Sequence, residues 1–370
     1  MTIVEGLGFG PLLGVFLTCR HEREMIRKKR PDGVRSRHHP SNRDMTGSRL
    51  DRPLIEDAVT YLSPLLVPTP VEDSPALSRI LGVPVILKLE FMQPTGSFKV
   101  RGALFRLSRL TSEERARGVV TCSAGNHGLG MAHGASQLNV PLTVYVPASI
   151  DPVKLDGMLS LGAEVVRSPF PGYDETAEWA RRQPATDTST WISAFDDFAI
   201  MAGNGGTLAA EILQQVSAPA AVVLPVGGGG MAAGAGYVLK ETRPSPQLIA
   251  CQHVLSPGLA LSLESGEAVT RLPAIETVAR GVEGGMGSLC FSVLESRVDQ
   301  VALVSEQEIM SAMLWMLREH RYLVEPSAAV AVAACLEKRF IPPGGPLVLI
   351  LSGRNVAPAV VKKVLCHESD

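Results

Sequence analysis

The chain has 370 residues, of which 45% are hydrophobic and 19% are charged, and its net charge is −2. This composition is typical of a globular protein, and the near-neutral charge gives no sign of a nucleic-acid or membrane-surface partner. The six cysteines have no C-x-x-C spacing. That pattern argues against a disulfide framework and a zinc site, and it predicts reduced thiols in a cytoplasmic protein without a metal.

The N-terminal residues 1–52 differ from the rest of the chain. From Arg20 to Arg52 there are eleven Lys or Arg residues against five Asp or Glu residues. Such basic runs are usually solvated, so we expect residues 1–52 to form a disordered extension, with a nucleic-acid-binding arm as the alternative. The apolar patch over 7–17 is too short to span a bilayer, and no membrane segment is predicted.

After residue 53, short apolar runs alternate with helical patterns. Near-continuous apolar runs are typical of strands that are buried on both faces of a parallel sheet. The alternation predicts an α/β protein with open, twisted, mostly parallel sheets. The predicted strands cover residues 83–90, 118–125, 141–147, 163–168, 220–226, 247–252, 300–304 and 346–351.

The stretch "PTGSFKVRGA" (94–103) places Lys99 in a tight, apolar setting without a neighbouring carboxylate in sequence. An amine held in apolar surroundings has a lowered pKa, which makes it a nucleophile for carbonyl groups. The alternative is an ordinary lysine on the surface of a helix.

The stretch "TCSAGNHGLG" (121–130) follows a predicted strand. Ser123, Gly125, Asn126 and His127 would lie at the carboxyl end of that strand, where α/β sheets bind ligands. Small residues expose backbone amides to a carboxylate, and Asn126 offers a neutral donor. Alternatively, Asn126 only caps a helix and His127 is structural.

The stretch "VVLPVGGGGMAAGAG" (222–236) joins a buried strand to a helix through Gly227, Gly228, Gly229 and Gly230. Without Cβ atoms, successive backbone N–H groups can converge on an anion at the helix N-terminus. The alternative is a flexible turn, but an ordinary turn needs fewer than four glycines. A dinucleotide site needs an acidic residue about twenty positions further on, and the next strand, "QLIACQHV", has none. We therefore predict a phosphate site.

The last predicted strand ends in "VLILSGRN", where the Ser352 hydroxyl could bond a ligand nitrogen or cap the following turn. A lysine, a phosphate cradle, a neutral donor and a partner for a ring nitrogen together match pyridoxal 5′-phosphate. We predict this cofactor.

These motifs, with "VEPSAAVAVAA" (324–334), occur in the order and spacing of the serine/threonine dehydratase family. The chain resembles this group of pyridoxal-phosphate enzymes, which share the fold of the tryptophan synthase β-subunit, from about Leu54 to Val356. The resemblance implies a large cofactor-binding domain (53–117 with 198–370) and a small mobile domain (118–197) that closes over the substrate. It also implies a homo-oligomer, either a dimer or a tetramer.

The resemblance further implies the roles of individual residues. Lys99 would carry the cofactor and move protons at the substrate α-carbon, and Phe98 would pack on the cofactor ring. Asn126 would bond the phenolic oxygen of the cofactor, Gly227–Gly230 would hold its phosphate, and Ser352 would face its ring nitrogen. The residues implied to bind the substrate carboxylate are Ser123, Gly125, Asn126 and His127.

The activity implied is the dehydration and deamination of a small amino acid, L-threonine or L-serine, to a 2-oxo acid and ammonia. Other 3-hydroxy amino acids, such as threo-3-hydroxyaspartate or an intermediate of ectoine breakdown, are the alternative. Less favoured are a serine racemase, a β-replacing synthase and an inactive binding protein.

Four positions depart from the family pattern. Ala124 stands where serine racemases carry a serine, which disfavours racemisation, and Gln252 stands where cation-binding members carry a glutamate. Arg354 and Glu283 replace residues usual in the family, and each could select a substrate other than threonine.

Overall fold

The computed structural model describes residues 49–123 and 125–366. Residues 1–48 of the predicted extension lie outside this range, whereas Leu50 is buried and a helix begins at Arg52, after the N-cap Asp51. Ala124 also lies outside the described residues.

Ten strands are present within the described residues. They are β1 (Val71–Asp73), β2 (Val85–Lys88), β3 (Val119–Cys122), β4 (Leu142–Val146), β5 (Glu164–Arg167), β6 (Thr190–Ile192), β7 (Ala221–Pro225), β8 (Gln247–His253), β9 (Gln300–Val304) and β10 (Leu347–Ile350).

The helices connect these strands on both faces of the sheets. They are α1 (Arg52–Leu62), α2 (Pro75–Leu81), α3 (Lys99–Ser108), α4 (Ser112–Arg117), α5 (Asn126–Leu138), α6 (Pro152–Ser160), α7 (Tyr173–Ala180), α8 (Pro184–Thr188), α9 (Phe198–Met201), α10 (Thr207–Gln215), α11 (Gly230–Glu241), α12 (Gly258–Ser265), α13 (Ser288–Leu294), α14 (Glu306–His320), α15 (Pro326–Leu336) and α16 (Pro358–Cys366). Short 3₁₀ turns cover Glu90–Met92 and Arg280–Val282, and a π-helical turn covers Ala202–Gly206.

The strands form two sheets. The larger has the order β1-β2-β10-β7-β8-β9, in which only β1 is antiparallel to its neighbour. The smaller has the order β5-β4-β3-β6 and is wholly parallel. The predicted α/β class with mostly parallel sheets is confirmed, and each of the eight predicted strands is present.

Two strands, β1 and β6, were not predicted. Each has only three residues and lies at the edge of its sheet. The smaller sheet draws all its strands from residues 119–192, inside the predicted 118–197 segment. The boundaries of the two domains and the closing movement of the smaller one stay predictions.

Burial explains why these apolar runs become central strands. Every residue of β3, β7 and β10 is buried, so the strands lie between helices on both sides. The helix α15 packs on the larger sheet, and nine of its eleven residues are buried. The strand ends that carry the predicted motifs are therefore held by a continuous core.

None of the helices among the described residues has the length and apolar character needed to cross a bilayer. In the same residues, no three His, Cys, Asp or Glu side chains are grouped to hold a metal ion. Gln252 is buried, and its Oε1 accepts bonds from the N–H groups of Leu259 and Ala260 at 3.0 Å each.

Candidate active site

One cavity is lined by all the predicted site residues. It opens where the loops after the carboxyl ends of β3, β7 and β10 meet, the position at which parallel sheets bind ligands. The predicted residues in its lining are Phe98, Lys99, Ser123, Gly125, Asn126, His127, Gly227, Gly228, Gly229, Gly230 and Ser352. The sequence motifs, although far apart in the chain, therefore form one site.

Lys99 begins α3, and its side chain enters the cavity. Its Nζ donates a hydrogen bond to the carbonyl of Ala194 at 3.0 Å and lies 5.2 Å from the centre of the Phe98 ring. Within the described residues, no carboxylate forms an ion pair with it. Burial lowers the pKa of Lys99 to about 8. An appreciable fraction of this amine is therefore neutral and nucleophilic near neutral pH.

The backbone fixes the position of Lys99 relative to Ser352. The Phe98 N–H donates to the carbonyl of Ser352 at 3.1 Å, and Ser97 pairs with Gly353 in an antiparallel bridge. Ser352 itself is buried. The lysine and the predicted partner of the ring nitrogen thus belong to one hydrogen-bonded unit, although 253 positions separate them in the sequence.

The glycine loop is tightly packed. A Cβ atom at Gly228 would clash with the ring of Phe195, and one at Gly227 would lie 2.8 Å from the carbonyl oxygen of Gly281. Gly229 has a φ of +97°, a conformation that favours glycine. The loop leads directly into the N-terminus of α11. This geometry matches a phosphate cradle better than a flexible turn.

The loop before α5 is also closely bonded. Ser123 Oγ accepts bonds from the N–H groups of Gly125 at 3.1 Å and Gly128 at 2.8 Å. Asn126 Nδ2 donates to Glu325 at 2.6 Å, and Asn126 Oδ1 accepts from Asn355 at 2.9 Å. These two partners fix the orientation of the Asn126 amide in the cavity.

Glu325 and Lys154 also line the cavity, and neither was predicted from the sequence. Glu325 is buried just before α15, with its carboxylate 3.7 Å from the Lys154 ammonium, and burial raises the pKa of this carboxyl group. Glu325 stands directly before Pro326 and a helix that is apolar except for Ser327. No local pattern shows that the start of this helix is buried, so the enclosure of Glu325 could not be predicted from the sequence.

Of the residues that depart from the family pattern, Glu283 lines the cavity, and Arg280 lines it as well. Burial raises the pKa of the partly buried Glu283. Arg280 is exposed and donates to Ser149 at 2.8 Å. Arg354 is exposed and does not line the cavity. Of the two residues suggested as selecting a different substrate, Glu283 is the one that borders the site.

The side chains fit pyridoxal phosphate. The cavity offers an amine with a lowered pKa for the aldehyde, glycine N–H groups at a helix N-terminus for the phosphate, and a neutral hydroxyl in Ser352. The model for "Pyridoxal-phosphate dependent enzyme" matches residues 62–353. The chain belongs to this family.

Individual relatives narrow the class of enzyme. The chain is 36% identical to the L-threonine ammonia-lyase of Geobacter sulfurreducens over 313 residues, which is 84% of this chain and 77% of the relative. The structure of a processed threonine deaminase from Solanum lycopersicum matches with a TM-score of 0.78 and 31% identity, over 85% of this chain and 92% of the other. The structure of maize serine racemase matches with a TM-score of 0.77 and 26% identity, over 86% of this chain and 97% of the other.

These matches make the chain a pyridoxal-phosphate-dependent ammonia-lyase with a dehydratase-type reaction. The predicted family, fold, cofactor and enzyme class are thereby confirmed. The individual roles of the site residues, the assembly state and the cytoplasmic location stay predictions.

Proposed function

We propose that this protein converts L-threonine or L-serine into a 2-oxo acid and ammonia. The observation that carries the proposal is the cavity itself, which brings the half-buried Lys99, the glycine loop and the loop before α5 together. The similarity to L-threonine ammonia-lyases over 84% of the chain supports the same substrate class.

Pyridoxal phosphate, when bound, supplies an electrophilic carbon for the substrate amine and an electron sink for the α-carbon. The residues of the chain then have distinct tasks. Lys99 would accept the α-proton, and its low pKa suits it to exchange protons near neutral pH. Phe98 would pack beside the cofactor ring, and Gly227–Gly230 would bind the phosphate.

The balance of the reaction is simple. The α-carbon loses its proton to Lys99, and the bond between the β-carbon and the hydroxyl oxygen breaks. The oxygen leaves as water after gaining a proton. The released enamine becomes an imine by taking a proton at the β-carbon, and water hydrolyses that imine to the 2-oxo acid and ammonium.

A neutral group at the ring nitrogen favours elimination over transamination. Ser352 offers a hydroxyl rather than a carboxylate, so the nitrogen need not carry a proton and the electron sink is weaker. With a weaker electron sink, loss of the β-hydroxyl group would be favoured over competing reactions at the α-carbon. We propose that Ser352 is this neutral partner of the ring nitrogen.

The test is turnover by purified, cofactor-loaded protein of L-threonine, L-serine, D-serine and threo-3-hydroxyaspartate. We expect equal amounts of 2-oxo acid and ammonia from L-threonine or L-serine, and none from the Lys99→Ala variant. Interconversion of L- and D-serine without 2-oxo acid would replace the proposal with a racemase.

Glu283 supports one alternative within the same chemistry. Its partly buried carboxylate borders the cavity and would favour a 3-hydroxy amino acid that offers it a further hydrogen-bond donor. Turnover of such substrates alone, with loss of the preference in Glu283→Gln, would establish this alternative. An unchanged ratio between the rates for threonine and for such substrates in Glu283→Gln would exclude a selecting role.

A further inference from the structure

His127 has an unusually well-defined hydrogen-bonding environment. It lies in the first turn of α5, is only 3% exposed and lines the same cavity as Lys99. Its Nε2 lies 3.0 Å from Thr121 Oγ1, and Thr121 Oγ1 lies 2.7 Å from the carbonyl oxygen of Ile192. The three groups form a short chain that joins α5 to β3 and β6 of the smaller sheet.

The hydrogen bonds from His127 through Thr121 to Ile192 allow only one tautomer of the His127 ring. A carbonyl oxygen can only accept, so the single hydrogen of the Thr121 hydroxyl is donated to Ile192. Thr121 Oγ1 can then only accept from the histidine. Nε2 must therefore carry the hydrogen, and in the neutral ring Nδ1 has a free lone pair.

The ring is neutral because its surroundings oppose a positive charge. Burial, together with the nearby Lys99 ammonium, holds the pKa of His127 well below its usual value. Nδ1 is shielded from solvent and finds no donor among the described residues. A buried acceptor without a partner is unfavourable, so a ligand that supplies a donor gains affinity there.

This lone pair cannot serve the substrate carboxylate, which has no hydrogen to donate. The carboxylate is suited instead to the first N–H groups of α5 and to Lys154, which lines the same cavity. If the proposed function holds, the substrate amine is engaged by the cofactor. The hydroxyl at C3 is then the donor that remains.

We propose that His127 is a specificity-determining residue whose Nδ1 accepts a hydrogen bond from the 3-hydroxyl group of the substrate. This inference rests on the proposed function and adds the group that recognises the leaving oxygen. It predicts that the enzyme favours 3-hydroxy amino acids over analogues whose leaving group has no hydrogen. Thr121 acts through His127 and is a positioning residue.

Two substrates separate this contact from a general role in folding. L-Serine and 3-chloro-L-alanine share one skeleton and yield pyruvate and ammonia, but only serine carries a donor on its leaving group. In His127→Leu, kcat/KM should fall for both substrates, and we expect the fall for serine to be about ten times larger than the fall for 3-chloroalanine. A tenfold difference corresponds to the loss of one ordinary hydrogen bond. His127→Asn, which keeps a polar atom close to the position of Nδ1, should recover part of the difference.

Thr121 offers a matched pair of variants. Thr121→Ser keeps the hydroxyl and should leave the ratio of the two kcat/KM values unchanged. Thr121→Val removes the acceptor for Nε2, so the other tautomer becomes available and the preference for serine should fall about threefold. Equal losses for both substrates in every variant would overturn the hydroxyl contact and leave His127 a structural role.

A measurement on the wild-type protein tests the tautomer without turnover. Ring-¹⁵N histidine NMR of the cofactor-loaded protein, with His127→Asn to assign the signal, should show a neutral ring with hydrogen on Nε2 between about pH 6 and 9. Hydrogen on Nδ1, or a charged ring, would overturn the inference. Failure to convert any 3-hydroxy amino acid would overturn the proposed function and the contact together, whereas turnover with an unchanged ratio would overturn only the contact.

Discussion

Lys99 and Arg101 stand two residues apart in α3, and their surroundings are opposite. Arg101 is buried and bonded to both oxygens of Glu90 at 2.8 Å and to Glu211 at 2.8 Å. Lys99 has one uncharged acceptor, the carbonyl of Ala194. Residues two apart on a helix point in nearly opposite directions, so one cation faces an ionic cluster and the other faces the cavity.

The surroundings of Arg101 stabilise the folded protein, whereas those of Lys99 make its amine reactive. Carboxylate partners raise the pKa of Arg101, and it keeps its charge at every accessible pH. The uncharged surroundings of Lys99 lower its pKa to about 8. The same short helix therefore holds a permanent cation that anchors it and a titratable amine that can react.

Removing the reactive amine gives the largest effect. Lys99→Ala should reduce kcat at least about a thousandfold, because both covalent attachment of the cofactor and the proton acceptor are lost. Without the cofactor, the melting temperature of Lys99→Ala should not fall below that of the cofactor-free wild type, since Lys99 forms no ion pair within the described residues. Steady-state kinetics of the cofactor-loaded variant and thermal unfolding of its cofactor-free form check both expectations.

Removing the anchoring cation should affect stability instead. Arg101→Met leaves Glu90 and Glu211 without their shared partner, and we expect a loss of about 3–5 kcal/mol in the free energy of unfolding. Urea denaturation measures this loss. The double variant Arg101→Met with Glu90→Gln should recover part of it, and an undiminished loss in the double variant would contradict an electrostatic cause.

A substitution in the glycine loop tests whether its tight packing is needed to bind the cofactor. Gly228→Ala places a methyl group against the ring of Phe195, so the loop must shift and the affinity for pyridoxal phosphate should fall at least about tenfold. Gly344→Ala is the control, because a Cβ there meets nothing within 4 Å. Cofactor titration followed by absorbance distinguishes them, and equal affinities would contradict the tight packing.

The pH dependence of cofactor attachment tests the pKa of Lys99 without any substitution. Since only the neutral amine reacts, the attachment rate should rise about tenfold per pH unit below the pKa of Lys99 and level off above about pH 8. An unshifted lysine would continue to gain rate up to about pH 10.4. Stopped-flow mixing of cofactor-free protein with pyridoxal phosphate over this range decides between the two profiles.

Local patterns predicted the fold class and the motif positions. The predicted strands that became β3, β7 and β10 are continuous apolar runs and are fully buried, whereas β5, at the edge of the smaller sheet, has no buried residue. The three residues of β1 and of β6 owe their conformation to one neighbouring strand each. Such pairing leaves no periodic pattern in so short a segment.

The contacts within the site were less predictable. Glu325 meets Asn126 across 199 positions, and Thr121 meets Ile192 across 71 positions. Residue type and spacing identified Lys99, the glycine loop and Ser352. They could not reveal which nitrogen of His127 carries its hydrogen, because that depends on an acceptor from another strand.

The most direct test of the account is to find the lysine that carries the cofactor. Lys154 lines the same cavity but forms an ion pair with the Glu325 carboxylate at 3.7 Å, whereas Lys99 has no such partner among the described residues. Borohydride reduction of the cofactor-loaded protein, followed by peptide mass spectrometry, should place the pyridoxyl group on Lys99 alone. A pyridoxyl group on Lys154, or on no lysine of the cavity, would contradict the account.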